Sequence, residues 1–560
     1  MLVFFDHVAY RRTHSGSPVT KLRGTGAPGE IVTLSFSISS ERECRDVELL
    51  AEALHGQRQN VDARCIDVHI VKIWQQSGIG VYQSESMAVP ELLLKDDRVS
   101  LKDGYRRDFK RLRHLMEPFW LYDPPVVRLD GPAKTSLQQH QSKQIIVSIR
   151  IPKTIPSGDY AGDLSITADG AKHRLPIVLS VLPIVLAEPR QDTMIWYKGS
   201  IDWRNRQHYV PKEIFRLQLK DIYECGFRSI TINEIDTGHA QRAIDIAEEI
   251  GFDRNIVIVL PRCIELTKLR FSKARPVYLI GDELDLQIGD DAMADLHEHP
   301  QVKAYIKTWN FVKDLPGRTL STIYREPNAR RLAEKLAIPA STITGYYLGF
   351  NTDFMFFFSQ FEQMRDSEVY YFWSAHMEKP DLHRVLCGWY LWKSRASGIQ
   401  PYCYQHLPKY PFSPYDDFDH SEDNEVGDMT ARSYRDHLAT YPSRHGPIPT
   451  LQWFGMRDGL TDLRYLATLD YMLQRAESRA GSQGVVEHVR AELAKIMRTI
   501  DLREVSIRSD TDPRPYMHID SADYHAFRIF CADSILRLQS LIGEDTAAIE
   551  SALNTGAGCR

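Results

Sequence analysis

Two adjacent carboxylates follow a short apolar run near the middle of the chain. The run Val277–Ile280 leads into Gly281, Asp282 and Glu283. Such a run predicts a strand buried on both faces, as in parallel sheets. In barrels of parallel strands, the carboxyl ends of the strands carry the reacting groups. Ionising one of two neighbouring carboxyls disfavours ionising the other, so such a pair can keep one proton for acid catalysis. We therefore predict Asp282 and Glu283 as catalytic residues.

A second carboxylate, distant from this pair, is hard to find in the sequence. Enzymes that cleave glycosidic bonds commonly place two carboxyl groups on opposite sides of the bond. The predicted seventh and eighth strands end without an acid; Asp353, after the sixth run, is the best rival, followed by Glu234 and Asp236 after the second. This pattern favours a 2-acetamido sugar that supplies its own nucleophile. One acid of the pair would then act as general acid/base while its neighbour holds the acetamido N–H.

Aromatic residues cluster at the predicted strand ends. Aromatic rings pack well against the apolar C–H faces of sugars, although barrel packing explains any single ring equally well. The predicted substrate-binding residues are Trp196, Tyr347, Tyr371, Trp373 and Tyr402. A tyrosine hydroxyl is also needed to hold the acetamido oxygen, and Tyr347 and Tyr371 are the candidates.

The elements that must position these residues form a regular series. Eight apolar runs alternate with helical patterns, which favours a (β/α)8 barrel over an open sheet. In that count the acid pair follows strand four. The runs are Thr193–Tyr197, Ser229–Asn233, Ile256–Leu260, Val277–Ile280, Thr319–Ile323, Thr342–Leu348, Val369–Trp373 and Ile399–Tyr404.

Three domains are predicted around this series. Residues 1–189 contain alternating segments such as Ile31–Ile38 with Pro and Gly between them, which indicates an antiparallel β-sandwich. Residues 190–478 would form the TIM-type barrel, with a long strand-eight loop at about 406–447, and 479–560 a C-terminal helical region. The predicted fold class is thus multidomain α/β.

Composition narrows the possible partners. The chain has 560 residues, a net charge of −5 and a hydrophobic fraction of 43%, which argues against nucleic-acid binding. No apolar run is long enough for a membrane span, and the eight cysteines lack metal or redox spacing. We expect no metal and no cofactor. With no visible signal peptide we expect a cytoplasmic protein, or a secreted or periplasmic one if a leader has been removed. The oligomeric state stays open.

Four stretches resemble glycoside hydrolase family 123, whose characterised members are N-acetyl-β-galactosaminidases. Ile151–Gly162 is similar to the end of the family's N-terminal sandwich, and Val277–Glu283 to its strand-four Asp-Glu. Tyr441–Pro447 and Arg457–Leu466 are similar to its C-terminal helix signature. The chain departs from the family pattern at Leu284, where proline is usual, and at Gln452 and Phe454, where arginine and glutamate are usual.

The resemblance implies roles for particular residues. Glu283 would be the general acid/base, and Asp282 would orient the acetamido group. Tyr402 stands near the position at strand eight where members of the family carry a sugar-stacking tryptophan. The function expected is a retaining exo-β-N-acetylhexosaminidase, with GalNAc favoured and a glycan as substrate. Two alternatives remain: a glycosidase of another sugar that pairs Glu283 with a separate carboxylate such as Asp353, and a catalytically silent glycan-binding protein.

Overall fold

The computed structural model describes most of the chain. The described residues are 2–7, 9–10, 15–77, 86–99, 126–206, 208–259, 264–283, 298–323, 342–347, 368–373, 380–405, 438–500, 521–543 and 549–551. Asp353 and most of the predicted strand-eight loop lie outside these residues, as does Leu284.

The first part of the chain forms two packed sheets. One has the order β1-β3-β10-β7-β8; the other has the order β2-β12-β11-β4-β9 and also carries β5 and β6. All pairings are antiparallel except that of β2 with β12. The alternating residues predicted to point inward from β3, Val32, Leu34, Phe36 and Ile38, are buried in the core between the sheets. The strands are β1 (Leu2–Asp6), β2 (Leu22–Gly26), β3 (Ile31–Ser40), β4 (Cys44–Ala51), β5 (Leu54–His55), β6 (Asn60–Val61), β7 (Ile66–Ser77), β8 (Ser86–Leu94), β9 (Ala133–Leu137), β10 (Ser142–Arg150), β11 (Gly158–Ala168) and β12 (Ala171–Val181).

The second part is a closed barrel of eight strands, β13 to β20 in sequence order. Every neighbouring pair is parallel, and each of the eight predicted runs supplies one strand. Its interior holds apolar side chains such as Val257, Val277 and Leu320, together with Tyr370. The strands are β13 (Asp192–Ile195), β14 (Ser229–Ile232), β15 (Asn255–Val259), β16 (Arg275–Gly281), β17 (Arg318–Ile323), β18 (Ile343–Tyr347), β19 (Glu368–Phe372) and β20 (Gly398–Ile399).

The helices pack outside the barrel and beyond it, and a short hairpin, β21 (Tyr441–Ser443) and β22 (Gly446–Ile448), precedes the longest helix. Two helix N-termini are capped by side-chain oxygens of the residue types that favour this position. Asp236 accepts from His239 N at α2 and Thr450 accepts from Trp453 N at α6. The helices are α1 (Lys212–Cys225), α2 (Thr237–Ile250), α3 (Pro300–Val312), α4 (Pro380–Cys387), α5 (Trp389–Ser394), α6 (Leu451–Glu477), α7 (Gln483–Thr499) and α8 (Ser521–Ile542).

The predicted fold class, multidomain α/β with a (β/α)8 TIM-type barrel and a separate C-terminal helical region, is contradicted. The molecule is rich in strands, which form several sheets, and the parallel barrel is one of them. The alternation of strand and helix is irregular: β15 is followed by a 3-10 turn at Leu266–Lys268. The C-terminal helices do not form a region of their own, because α8 packs against α6. The predicted domain boundaries stay a prediction.

A buried ion network joins the terminal helices to the sandwich. Asp462 on α6 accepts hydrogen bonds from Arg384 on α4 at 2.7 Å and from Arg528 on α8 at 2.5 Å. The same Arg528 guanidinium donates to Glu30 of the sandwich at 3.0 Å, and Tyr465 donates to the other oxygen of Glu30 at 2.8 Å. Because buried charges are tolerated only when paired, this network fixes the sandwich, α4, α6 and α8 against one another.

Two glycines allow α4 and α6 to approach closely. A Cβ at Gly459 would lie 2.3 Å from the Arg384 carbonyl oxygen, and one at Gly455 would lie 2.1 Å from the Pro380 carbonyl oxygen. Four residues apart, these glycines share one face of α6. The stretch Arg457–Leu466 that resembles the family's helix signature therefore serves packing and ion pairing here.

Two general properties follow from the described residues. No helix among them has both the length and the apolar character that crossing a bilayer requires. The six cysteines within these residues are all free thiols.

Candidate active site

The predicted acid pair lies at the carboxyl end of β16, where the strand pairing is irregular. The register between β16 and β17 shifts between Leu279 and Gly281, immediately before the two acids. Bulges of this kind redirect the side chains that follow them. Glu283 has a φ of 44°, in the left-handed region that non-glycine residues seldom occupy. Such strain persists only where surrounding contacts hold it, and it is common at functional sites.

One hydroxyl ties the two acids together. Thr322 Oγ1 donates to Asp282 Oδ1 at 2.8 Å and accepts from the backbone N–H of Glu283 at 2.7 Å. Thr322 lies on β17 and is 1% exposed, whereas Asp282 is exposed and Glu283 half-buried. A buried group on the neighbouring strand therefore fixes the pair while leaving both residues accessible at the rim.

Trp196 and Tyr402 meet at the same end of the barrel, where the chain leaves β13 and β20. Their rings form an edge contact with centroids 6.3 Å apart. Lys198 Nζ lies over the Tyr402 ring, 4.9 Å from its centroid. Trp196 is buried and Tyr402 is half-buried. The two rings and the lysine form an aromatic and cationic corner that can contact a ligand.

Tyr371 and Trp373 do not reach this rim. The Tyr371 hydroxyl donates to the Leu386 carbonyl oxygen at 2.6 Å, and Trp373 Nε1 contacts His383 Nδ1 at 2.9 Å. Both side chains are buried in the layer between the barrel and α4. Their polar atoms are satisfied there, away from the rim, and the sugar-binding role predicted for them stays a prediction. For Tyr347 the structure describes the backbone of β18, and its side chain lies outside the described residues.

Glu234 follows β14 and holds the loop after β13. Its carboxyl group accepts from Ser200 Oγ at 2.6 Å and from Ile201 N at 2.8 Å. Burial raises the pKa of Glu234 to about 7, against the opposing effect of these hydrogen bonds. Since both carboxyl oxygens accept hydrogen bonds from the loop that follows Lys198, Glu234 holds that loop in place.

Asp236, which is close to Glu234 in the sequence, belongs to a cluster of charged residues. Asp202, Asp236 and His239 lie close enough to share a cation. The guanidinium of Arg204, however, donates to Asp202 at 2.6 Å and also to Asp236, and His239 Nδ1 lies 2.8 Å from Asp236. Arg204 pairs with both carboxylates, so the cluster is an ion-pair network that braces the rim.

The comparisons with known proteins give a fold and no family assignment. No protein-family model matches the chain, and no curated protein matches it. The structure of a family 123 glycoside hydrolase from Clostridium perfringens, described as acting on glycolipid glycans, is similar over 99% of this chain and 100% of that one, with a TM-score of 0.58 and 11% identity. A putative alpha-galactosidase from Bacteroides fragilis covers 36% of this chain and 46% of its own, with 12% identity and a TM-score of 0.17. The first similarity extends along the whole chain and shows a shared fold; the second is too weak to carry an argument.

Sequence reasoning placed Asp282 and Glu283 at the end of a strand and missed the residues that hold them. Thr322 is a single threonine inside a strand, and such residues are common in strands for reasons of packing. Lys198 likewise follows Trp196-Tyr197 without any motif. The available signal was the alternation of the strands: counting inward positions along β17 places Thr322 on the inner face beside β16.

Proposed function

We propose that the protein is a retaining exo-glycoside hydrolase that releases terminal β-linked N-acetylhexosamine, with GalNAc as the favoured sugar. The observation that carries this proposal is the Thr322 hydroxyl, which binds both Asp282 and the backbone of Glu283. It makes the two acids one positioned unit at the rim of a barrel. The whole-length similarity in fold to a family 123 glycoside hydrolase supports the same reaction class.

The reaction would proceed in two steps. In the first, protonated Glu283 gives its proton to the glycosidic oxygen as the bond from C1 to that oxygen breaks. The acetamido carbonyl oxygen of the substrate attacks C1 and forms an oxazolinium ring, while Asp282 accepts the acetamido N–H. In the second, the Glu283 carboxylate takes a proton from water as the water oxygen bonds to C1 and the ring reopens. Two inversions at C1 retain its configuration.

Of the three other candidates for a second catalytic carboxylate, two form contacts elsewhere and the third lies outside the described residues. Glu234 is buried and bound to the loop after β13, and Asp236 pairs with Arg204 and His239. Asp353 lies outside the described residues. These contacts support a mechanism in which the substrate supplies the nucleophile.

An inhibitor experiment tests this proposal. A GalNAc-derived thiazoline imitates the oxazolinium ring, so we expect it to inhibit hydrolysis of an aryl β-GalNAc substrate far more strongly than free GalNAc does. The Asp282→Asn variant should lose most of this inhibition, because its side chain no longer offers a carboxylate to the ring N–H. Robust hydrolysis that the thiazoline leaves unaffected would reject substrate assistance. Binding of glycans without any turnover would reject the proposal that the protein is an enzyme.

A further inference from the structure

Gln400 is a buried amide in the wall of the barrel. It directly follows β20, and the preceding Ile399 belongs to the core formed with the surrounding helices. Since successive side chains in a strand point to opposite faces, Gln400 points into the barrel. Its exposed fraction is 0%.

The Gln400 side chain has no hydrogen-bond partner among the residues that the structure describes. Both Nε2 and Oε1 are buried and unsatisfied, although its backbone N–H donates to the Tyr371 carbonyl oxygen at 2.9 Å. Leaving a buried amide unpaired is costly, and most buried polar side chains in folded proteins are paired. An amide kept in this state calls for a partner other than the residues that the structure describes.

Strand β18, which is separated from β20 by β19, makes room for this amide. A Cβ at Gly345 on β18 would lie 1.7 Å from Gln400 Nε2, so any other residue there would displace it. Gly345 does not have a positive φ, and glycine weakens strands. The space that Gln400 occupies is therefore the reason that the structure offers for a glycine at this position.

Strand β18 also lies next to β17, whose Thr322 holds Asp282. Gly345 is the register partner of Thr322 on β17, and Thr322 Oγ1 donates to Asp282 Oδ1. Gly345 therefore lies beside both side chains: its Cβ position is also 3.4 Å from Cγ2 of Thr322, the residue whose hydroxyl positions Asp282. The amide lies below the rim, on the interior side of the proposed site.

We propose that Gln400 is a specificity-determining residue whose carboxamide binds a ring hydroxyl of the terminal sugar. This inference rests on the proposed function. An exo-acting enzyme must leave the rest of the glycan in solvent, so the end of the sugar far from the cleaved bond enters first. A hydroxyl both donates and accepts, as does a carboxamide, so one hydroxyl can satisfy both Nε2 and Oε1.

Sugar analogues test the contact directly. The probes are an aryl β-GalNAc and its analogues that lack the hydroxyl at C3, C4 or C6, assayed as kcat/KM with wild-type protein and Gln400→Met. In wild type, loss of one particular hydroxyl should lower kcat/KM by about tenfold or more, because the amide is left unpaired. In Gln400→Met, removing that same hydroxyl should make little further difference. Equal losses in both proteins for all three analogues would overturn the assignment.

A matched glutamine separates binding from a structural role. Gln218 on α1 is also 0% exposed, but its Oε1 accepts from Tyr197 at 2.6 Å and its Nε2 donates to Gln405 at 2.8 Å. Gln218→Met should therefore lower Tm, while Gln400→Met should leave Tm unchanged or raise it. A Tm loss in Gln400→Met as large as that in Gln218→Met would show that the amide serves the fold and would overturn the inference.

The two proposals fail in different ways. If wild-type protein hydrolyses the parent substrate and Gln400→Met keeps its full preference among the analogues, the role of Gln400 is wrong and the glycosidase stands. If wild-type protein neither hydrolyses the parent substrate nor binds the thiazoline, the proposed function is wrong and the assignment of Gln400 falls with it.

Discussion

Thr322 donates its hydroxyl hydrogen to Asp282 across 2.8 Å, from the strand next to the one that ends in the acid pair. The donor is buried and the acceptor is exposed. In the proposed mechanism Asp282 meets the substrate, and the group that holds it is one that the substrate would not displace. This arrangement is what pre-organisation of a catalytic side chain requires.

Replacing Thr322 by valine keeps the shape of the side chain and removes the hydroxyl. Asp282 then loses a donor, and the Glu283 N–H loses its acceptor. We expect kcat/KM on an aryl β-GalNAc to fall by about tenfold or more. Thr322→Ser is the matched control, since it keeps the hydroxyl and should retain most of the activity. Equal activity in the valine variant and wild type would show that the hydroxyl does not position the pair.

The buried carboxyl group of Glu234 makes the stability of the protein depend on pH. Burial raises the pKa of Glu234 from 4.5 to about 7, so the folded state binds more protons than the unfolded state between these values. The free energy of unfolding contributed by this group therefore falls as pH rises from about 4.5 to about 7. Glu234→Gln stays neutral, and its amide can still contact Ser200 and Ile201. We expect this variant to gain stability relative to wild type at pH 8 and little at pH 4, measured by urea unfolding. An equal difference at both pH values would contradict this account.

The buried network at Asp462 predicts a large loss of stability on mutation. Burial alone would raise the pKa of Asp462, but the charges and hydrogen bonds of Arg384 and Arg528 outweigh it and lower that pKa. Asp462→Asn leaves two buried guanidinium groups undercompensated, which typically costs about 3–5 kcal/mol. Chemical unfolding at pH 7 measures this loss in the free energy of unfolding. Asp470 lies on the same helix without contacts to these arginines, so Asp470→Asn is the control and should cost far less.

Close packing of α4 and α6 gives a second stability test. Gly459→Ala would place a methyl group 2.3 Å from the Arg384 carbonyl oxygen, so we expect a loss of about 1–3 kcal/mol from overpacking. Gly484 on α7 has no atom within 4 Å of the Cβ position. Gly484→Ala should therefore be neutral or stabilising by up to about 1 kcal/mol. Similar effects of the two substitutions on Tm would contradict the packing described for α6.

The sequence predicted that Asp282 and Glu283 follow a barrel strand because Val277–Ile280 is a short apolar run that ends in polar residues. Each of the eight predicted apolar runs also overlaps one barrel strand, although β20 covers only Gly398–Ile399. Which residues of such a strand point inward is a different question, because a strand buried on both faces shows no polar alternation. Tyr370 points into the barrel and Tyr371 into the helix layer, and nothing in Tyr370-Tyr371 distinguishes them.

The fold class was predicted wrongly for a related reason. The helical patterns after residue 479 predict helices correctly, but periodicity does not tell which surface a helix covers. The Arg528 contacts to Asp462 and Glu30 join residues far apart in sequence, and no local pattern encodes such pairing. A lone glutamine such as Gln400 carries no sequence signal; that its amide has no partner among the described residues is visible only in three dimensions.

The most direct test of the central claim is hydrolysis of an aryl β-GalNAc by wild-type protein and by Glu283→Gln at the same pH. The account predicts turnover by wild type with retention at C1 and a loss on the order of a hundredfold or more in the variant. The loss should be smaller when the aryl leaving group is strongly activated, because such a group departs without a proton. Equal rates for the two proteins on a poorly activated substrate would contradict the assignment of Glu283 as the general acid.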